Sequence, residues 1–216
     1  MSPEAATREW PTSGDPRSAG STPKGRATRA RIVATAADLM FARGVAGTTT
    51  DQVRAGAGVS NSQLYHYFAD KSALVRAVIT YQTEQVIAGQ QPVLSNLDSF
   101  EALVAWRDLL VAAQLEHECV GGCPLGSLAN ELAGTDEDAR TALAAGFLRW
   151  DASIRDGLRA MRDRGELRPD ADPDRLALGT LAAVQGGLLL TETLRDTAPL
   201  AAGLDLAIDS IRAYEA

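Results

Sequence analysis

Five side chains stand close together between positions 61 and 66: Asn61, Ser62, Gln63, Tyr65 and His66. All five donate or accept hydrogen bonds, and none is a carboxylate. That set suits a helix lying in the major groove of a duplex. Base edges there present donors and acceptors, and the flanking phosphates repel acids. Ser60-x-x-Gln63 is a capping box, so the helix opens at Ser60 and runs through Leu64 to about Tyr67. Gln63 therefore has two possible uses, a cap for Ser60 or a contact to a base, and both stay open at this point. Ser62 has the bland alternative of being merely small enough to let the helix approach.

A helix used this way needs a partner to hold it. Thr49-x-x-Gln52 is a second capping box, and Val53 anchors the helix behind it. Ala57-Gly58-Val59 forms the turn between the two, where Gly58 adopts φ > 0 without steric penalty. Two short capped helices joined by a glycine turn make a helix-turn-helix. Ahead of them, Ile32, Ala36, Leu39 and Met40 recur at helical spacing until Gly44. Behind them, Asp70 caps a longer helix through Leu74 and Val78 to about Gln85.

Charge supports the same picture. The chain of 216 residues carries −7 overall, yet residues 24–76 hold eight basic residues against three acidic ones, a balance of +5. Residues 1–23 carry −1, which leaves −11 on residues 77–216. Local charge, not the total, attracts phosphate.

Thr48-Thr49-Thr50-Asp51-Gln52-Val53, Ala57-Gly58-Val59-Ser60, Leu64-Tyr65-His66-Tyr67-Phe68 and Lys71-Ser72-Ala73-Leu74 together resemble the DNA-binding domain of the TetR family of bacterial repressors. The resemblance covers roughly residues 28–79. It implies that Thr49 and Lys71 hold phosphates from two helix N-termini. It implies that Tyr65 and His66 touch the backbone on either side of the groove, while Asn61, Ser62 and Gln63 approach base edges from the helix that Ser60 opens. Arg26 and Arg29, expected just ahead of the first helix, would reach the adjacent minor groove. Many relatives carry Lys or Arg where this chain has Asn61, which leaves that position freer to read adenine. Arg31 and Arg54 are expected to be solvated.

The remainder reads as helices without strand-like alternation. Ser99 caps one bearing Phe100, Leu103, Trp106 and Leu110. Pro124 opens another, to about Ala133. Asp136 opens a 28-residue helix that Gly165 ends, Asp172-Pro173 starts the next, and Pro199 precedes the last. The expected fold is all-α with about nine helices, divided into a disordered arm (1–23), a DNA-binding domain (24–79) and an effector-binding and dimerisation domain (80–216). Gly122 to Ala129 resembles the C-terminal domain of an LmrA/YxaF-like subgroup of TetR regulators.

Large aromatics among Ala and Leu leave either a core or a pocket. The family resemblance implies a pocket, and the candidates for its lining are Trp106, Leu110, Gln114 and Leu128, with Phe147, Trp150, Ile154 and Gln185 opposite. A mostly apolar lining implies a hydrophobic or aromatic effector. Leu181, Val184, Gly187 and Leu188 on one helix, and Leu204, Ile208 and Ile211 on the next, are the expected homodimer interface. The expected partners are therefore an inverted-repeat operator, a small effector and a second copy, with the effector releasing DNA.

Other chemistries find little support. No GxSxG, Walker loop, dinucleotide fingerprint or HExxH occurs, so no enzyme activity and no cofactor is expected. His117, Cys119 and Cys123 allow an alternative, a metal- or thiol-responsive regulator, although the spacing lacks a CxxC knuckle. The most apolar stretch, Ala177 to Leu190, is shorter than a bilayer span. The N-terminus lacks an apolar signal region, so a cytoplasmic location without membrane partners is expected.

Overall fold

The computed structural model describes residues 22–216. The expected arm therefore lies, except for its last two residues, outside the described residues. Those two do structural work: Thr22 Oγ1 accepts from the Gly25 amide at 3.1 Å, and Pro23 occupies the first turn of α1, Pro23–Arg43. The helix thus begins nine residues before Ile32, where the apolar periodicity starts, because Ala, Thr and Arg extend a helix without contributing to a core stripe.

Nine α-helices and one 3₁₀ turn are present among the described residues, with no β-strand. They divide into two compact units, the first ending at Val78 and the second running from Ile79 to Ala216. In the first, α1 buries Ile32, Val33, Ala36, Ala37 and Met40. Helices α2 (Thr50–Ala57) and α3 (Asn61–Tyr67) follow. Val53, Ala57, Val59, Leu64 and Phe68 are all buried. Arg31 is not simply solvated: its Nε donates to the Ala57 carbonyl at 2.8 Å and ties α1 to the C-terminal end of α2. Arg54 pairs with Asp51 at 3.5 Å. The division between the units falls within α4 (Lys71–Ala88), which contributes residues to both.

The second unit contains the turn Val93–Asn96, α5 (Phe100–Glu116), α6 (Pro124–Leu132), α7 (Glu137–Asp163), α8 (Pro173–Leu194) and α9 (Ala198–Arg212). Ser99, Asp136 and Asp172 cap α5, α7 and α8 through their side-chain oxygens. Helix α7, with 27 residues, is about 40 Å long at 1.5 Å per residue. Helix α8 packs on α7 and, most extensively, on α9. A Cβ at Gly187 would lie 2.8 Å from Leu200 Cα, so the two backbones cross where only glycine fits. By length and composition α8 is apolar enough to be a candidate membrane span, longer than the sequence stretch suggests. Its inward face, with Ala177, Leu181, Val184 and Leu188, is part of the protein core instead.

Candidate nucleic-acid interface and ligand cavity

Both capping boxes form. Thr49 Oγ1 accepts from the Gln52 amide at 3.2 Å, and Gln52 Oε1 accepts from the Thr49 amide at 2.9 Å. Ser60 Oγ accepts from the Gln63 amide at 3.2 Å, and Gln63 Oε1 accepts from the Ser60 amide at 2.9 Å. The open question over Gln63 is thereby narrowed, because its oxygen is committed to the cap. A bidentate contact to adenine needs both the oxygen and the NH₂ of an amide. Gly58, at φ 61° and ψ 42°, ends α2 in the left-handed conformation and turns the chain into α3.

The remaining α3 side chains divide by what holds them. Asn61 is exposed and makes no hydrogen bond among the described residues. Ser62 is exposed, with its hydroxyl 3.1 Å from that of Ser60. His66 is exposed and meets Tyr67 edge-on, with ring centroids 5.2 Å apart. Tyr65 is half-buried and Leu64 is buried. The helix therefore turns Leu64 inward and presents Asn61, Ser62 and His66 outward.

Lys71, at the start of α4, is half-buried, and its Nζ donates to the Val45 carbonyl at 2.6 Å. Two ammonium protons stay available beyond that bond. Asp70 Oδ1 accepts from the Ala73 amide at 2.6 Å and closes the same helix start. Arg26 and Arg29 do not precede the first helix. Both lie within α1 because Thr22 and Pro23 start it earlier. The Arg29 guanidinium sits 5.1 Å above the Phe68 ring.

The residues proposed for the pocket separate into core and lining. Trp106, Leu110, Leu128, Trp150 and Ile154 are buried. Trp106 Nε1 donates to Gln90 Oε1 at 2.8 Å, while Trp150 Nε1 finds no partner among the described residues. Gln114 is buried, and its Oε1 is likewise unpaired. Phe147 and Gln185 line a cavity of about 330 Å³ between α6, α7 and α8, together with Cys123, Asn130, Leu188 and Glu192. Sequence reasoning missed Glu192. The available signal was its spacing of seven residues from Gln185, which places both on one face of α8.

Helix α7 also grips α4. Arg149 holds Glu84 with two hydrogen bonds, at 2.5 and 3.0 Å, and keeps that carboxyl below the ordinary glutamate range. Thr83 Oγ1 rests against Gly146. The α4 anchor and the cavity residue Phe147 thus lie within one turn of α7.

The residues expected at the dimer interface point the other way. Leu181, Val184, Gly187, Leu188, Leu204, Ile208 and Ile211 are buried within the single chain, where they join α8 to α9 and the core. The exposed apolar residues on these helices are Leu178, Leu189, Leu190, Leu194 and Leu206.

His117, Cys119 and Cys123 do not converge. His117 is exposed, both cysteines are buried, and no group of three metal-binding side chains occurs among the described residues. Cys123 instead caps α6, its Sγ accepting from the Gly126 amide at 3.3 Å. Burial pushes its thiol above the ordinary range despite that bond.

Residues 32–78 match a family model described as bacterial regulatory proteins, tetR family, and residues 100–206 match one described as tetracyclin repressor-like, C-terminal domain. The chain is 29% identical over 179 residues to the uncharacterized HTH-type transcriptional regulator YxaF of Bacillus subtilis (strain 168), covering 80% of this chain and 89% of that protein. It is 24% identical over 185 residues to the HTH-type transcriptional repressor DhaR of Mycobacterium sp. (strain GP1), covering 85% and 91%. A solved TetR transcriptional regulator from Chloroflexus aurantiacus J-10-FL superposes with a TM-score of 0.75 at 29% identity, covering 88% of this chain and 97% of that one.

Proposed function

The chain belongs to the TetR family of DNA-binding transcriptional regulators, not to an enzyme family, and from that premise we propose that it is a homodimeric repressor released from an inverted-repeat operator by a small molecule. The observation that carries this reading is the α2–Gly58–α3 unit. Both helix starts are closed by their own side chains, and Asn61, Ser62 and His66 face outward from a segment of net charge +5. The scaffold is satisfied internally, so its exposed donors and acceptors are available for DNA.

The proposed roles follow the geometry. Asn61 reads a base edge. Ser62, Tyr65 and His66 contact the operator backbone and groove wall, and Thr49 presents the N-terminus of α2 to a phosphate. Lys71 holds a phosphate with the protons that Val45 leaves free. Arg26 and Arg29 supply positive charge along the first turns of α1. Ser60 and Gln63 maintain the α3 start. Two such helices in a dimer address successive major-groove faces about 34–36 Å apart.

The dimer is proposed to form over the outer faces of α8 and α9, through Leu190, Leu194 and Leu206. These are large apolar side chains exposed in the single chain, and exposed apolar surface of this kind marks an interaction site. Repression is favoured over activation by the likeness to DhaR, a transcriptional repressor with similar sequence over most of both chains. A cytoplasmic location follows from the need to reach DNA. The effector is proposed to bind the cavity containing Phe147 and Gln185 and to act through α7 on the α4 segment held by Arg149 and Gly146. A coupling of about 1–3 kcal/mol per ligand weakens operator binding roughly 5- to 150-fold.

Footprinting on the DNA upstream of its own coding sequence tests the reading. A symmetric protected site is expected, and Asn61→Ala should relax base preference within it. An asymmetric footprint, or an Asn61→Ala protein with unchanged preference, would count against it.

A further inference from the structure

The proposed effector cavity carries an excess of acceptor character that its own walls do not satisfy. Glu192 lines it, and its carboxylate makes no hydrogen bond or ion pair among the described residues. A Cβ built at Gly122 would lie 2.5 Å from Glu192 Oε2, so the carboxylate rests over a backbone position that bears no side chain. Two turns earlier, on the same side of α8, the Gln185 side chain meets the Cys123 thiol, and its buried Nε2 has no oxygen acceptor among the described residues. No Lys, Arg or His lines the cavity. Phe147 and Leu188 supply apolar wall, and Asn130 adds an amide on α6. A volume of about 330 Å³ lies at the small end of the roughly 300–1,000 Å³ range of ligand pockets.

These groups define complementary chemistry. An unpaired carboxylate in a partly closed cavity favours a cation that donates hydrogen bonds and repels an anion. An amide N–H₂ that meets only a weakly accepting thiol sulfur has a proton left for an oxygen acceptor. We propose that this cavity takes a small protonated amine with an adjacent hydroxyl or carbonyl oxygen and an apolar body. The ammonium pairs with Glu192, the oxygen accepts from Gln185, and the apolar body lies against Phe147. The assignment rests on reading this cavity as the effector site, and it narrows the ligand from any hydrophobic compound to a cationic class.

Three compounds of one shape test it on the full chain by calorimetric titration: 2-amino-1-phenylethanol, which is cationic at neutral pH, 1-phenyl-1,2-ethanediol, which is neutral, and mandelate, which is anionic. The amine should bind about tenfold more tightly than the diol, as one charge-assisted hydrogen bond provides, and mandelate should bind most weakly. Glu192→Gln, with Glu192→Ala as a second variant, should erase the preference for the amine without changing the melting temperature. Gln185→Leu should weaken amine and diol alike. Mandelate binding as tightly as the amine, an amine preference that survives both Glu192 variants, or binding by none of the three overturns the proposal. Operator release is measured separately. An amine that binds through Glu192 but leaves DNA affinity unchanged upholds the ligand class and refutes the effector reading. Mandelate that binds and releases DNA does the reverse.

Discussion

Gln63 separates two uses of one side chain, and its replacement shows which use dominates. Its Oε1 accepts from the Ser60 backbone amide at 2.9 Å while the Gln63 backbone N–H donates to Ser60 Oγ at 3.2 Å. Gln63→Ala removes the first bond and leaves the Ser60 amide to water. A net intramolecular hydrogen bond contributes about 0.5–1.5 kcal/mol, and an exposed one belongs in the lower half of that range. The expected loss is about 0.5–1 kcal/mol, or roughly 1–4 °C in melting temperature for a protein of this size. Because α3 frays at its start, affinity should fall by about two- to fivefold for every operator variant alike, using 1.4 kcal/mol per tenfold. Gln63→Glu retains the acceptor and places a negative charge at a helix N-terminus, which is stabilising by about 0.3–1 kcal/mol. That protein should melt no lower than wild type yet bind DNA more weakly, because the carboxylate meets phosphate. Thermal melts and competition binding against single-base operator variants measure both effects. If Gln63→Ala melts like wild type and loses discrimination at one base pair only, the side chain reads DNA and the capping argument is wrong.

Four further outcomes follow. Lys71→Ala should reduce the slope of log affinity against log salt by about 1, as expected for one lost phosphate contact, and should lower thermal stability only slightly, because the Val45 carbonyl loses the Lys71 bond but keeps the Thr48 amide. Leu206→Arg should dissociate the dimer in light scattering while the single chain stays folded, since Leu206 is 69% exposed. Ile208→Arg should unfold the second unit instead, because it buries an unpaired charge in the core. Burial raises the Asp151 carboxyl above the ordinary aspartate range, against the pull of Arg155. The folded state therefore holds this proton more tightly than the unfolded state, and the stability of wild type relative to Asp151→Asn should fall as pH rises from that range through the raised value; a flat difference in denaturant midpoints from acid to neutral pH would refute it.

The helices α2 and α3 were legible because their signals are local. Thr49, Gln52, Ser60 and Gln63 name their own hydrogen-bond partners three residues away, and the capped starts of α2 and α3 follow from them. Asp136 and Asp172 marked α7 and α8 in the same manner. The start of α1 was not legible, because Arg26 and Arg29 lie on turns without a buried stripe. The faces of α8 were not legible for a different reason. Leucines occupy both sides of this helix, so periodicity does not distinguish Leu188, which is buried, from Leu189, which is exposed. The packing of α7 and the approach of α9 at Gly187 decide which side is covered. Pocket lining was not legible for a similar reason: Trp106 and Trp150 are buried, but size and spacing alone do not separate a core side chain from one that lines a cavity, as Phe147 and Glu192 do.

The two capping boxes have a consequence for how such a protein changes its target. The bonds that fix α3 run through Ser60 and Gln63, while Leu64 alone anchors its inner face. Asn61 and His66 lie between these positions, exposed, and neither contributes to closing the helix. If α3 reads DNA as proposed, substitution at 61 or 66 exchanges one operator sequence for another without a compensating change in the fold. A library randomised at those two positions, with 60, 63 and 64 held fixed, should yield folded proteins with divergent DNA preferences. One randomised at 60, 63 and 64 should yield mostly proteins in which the reading helix no longer forms.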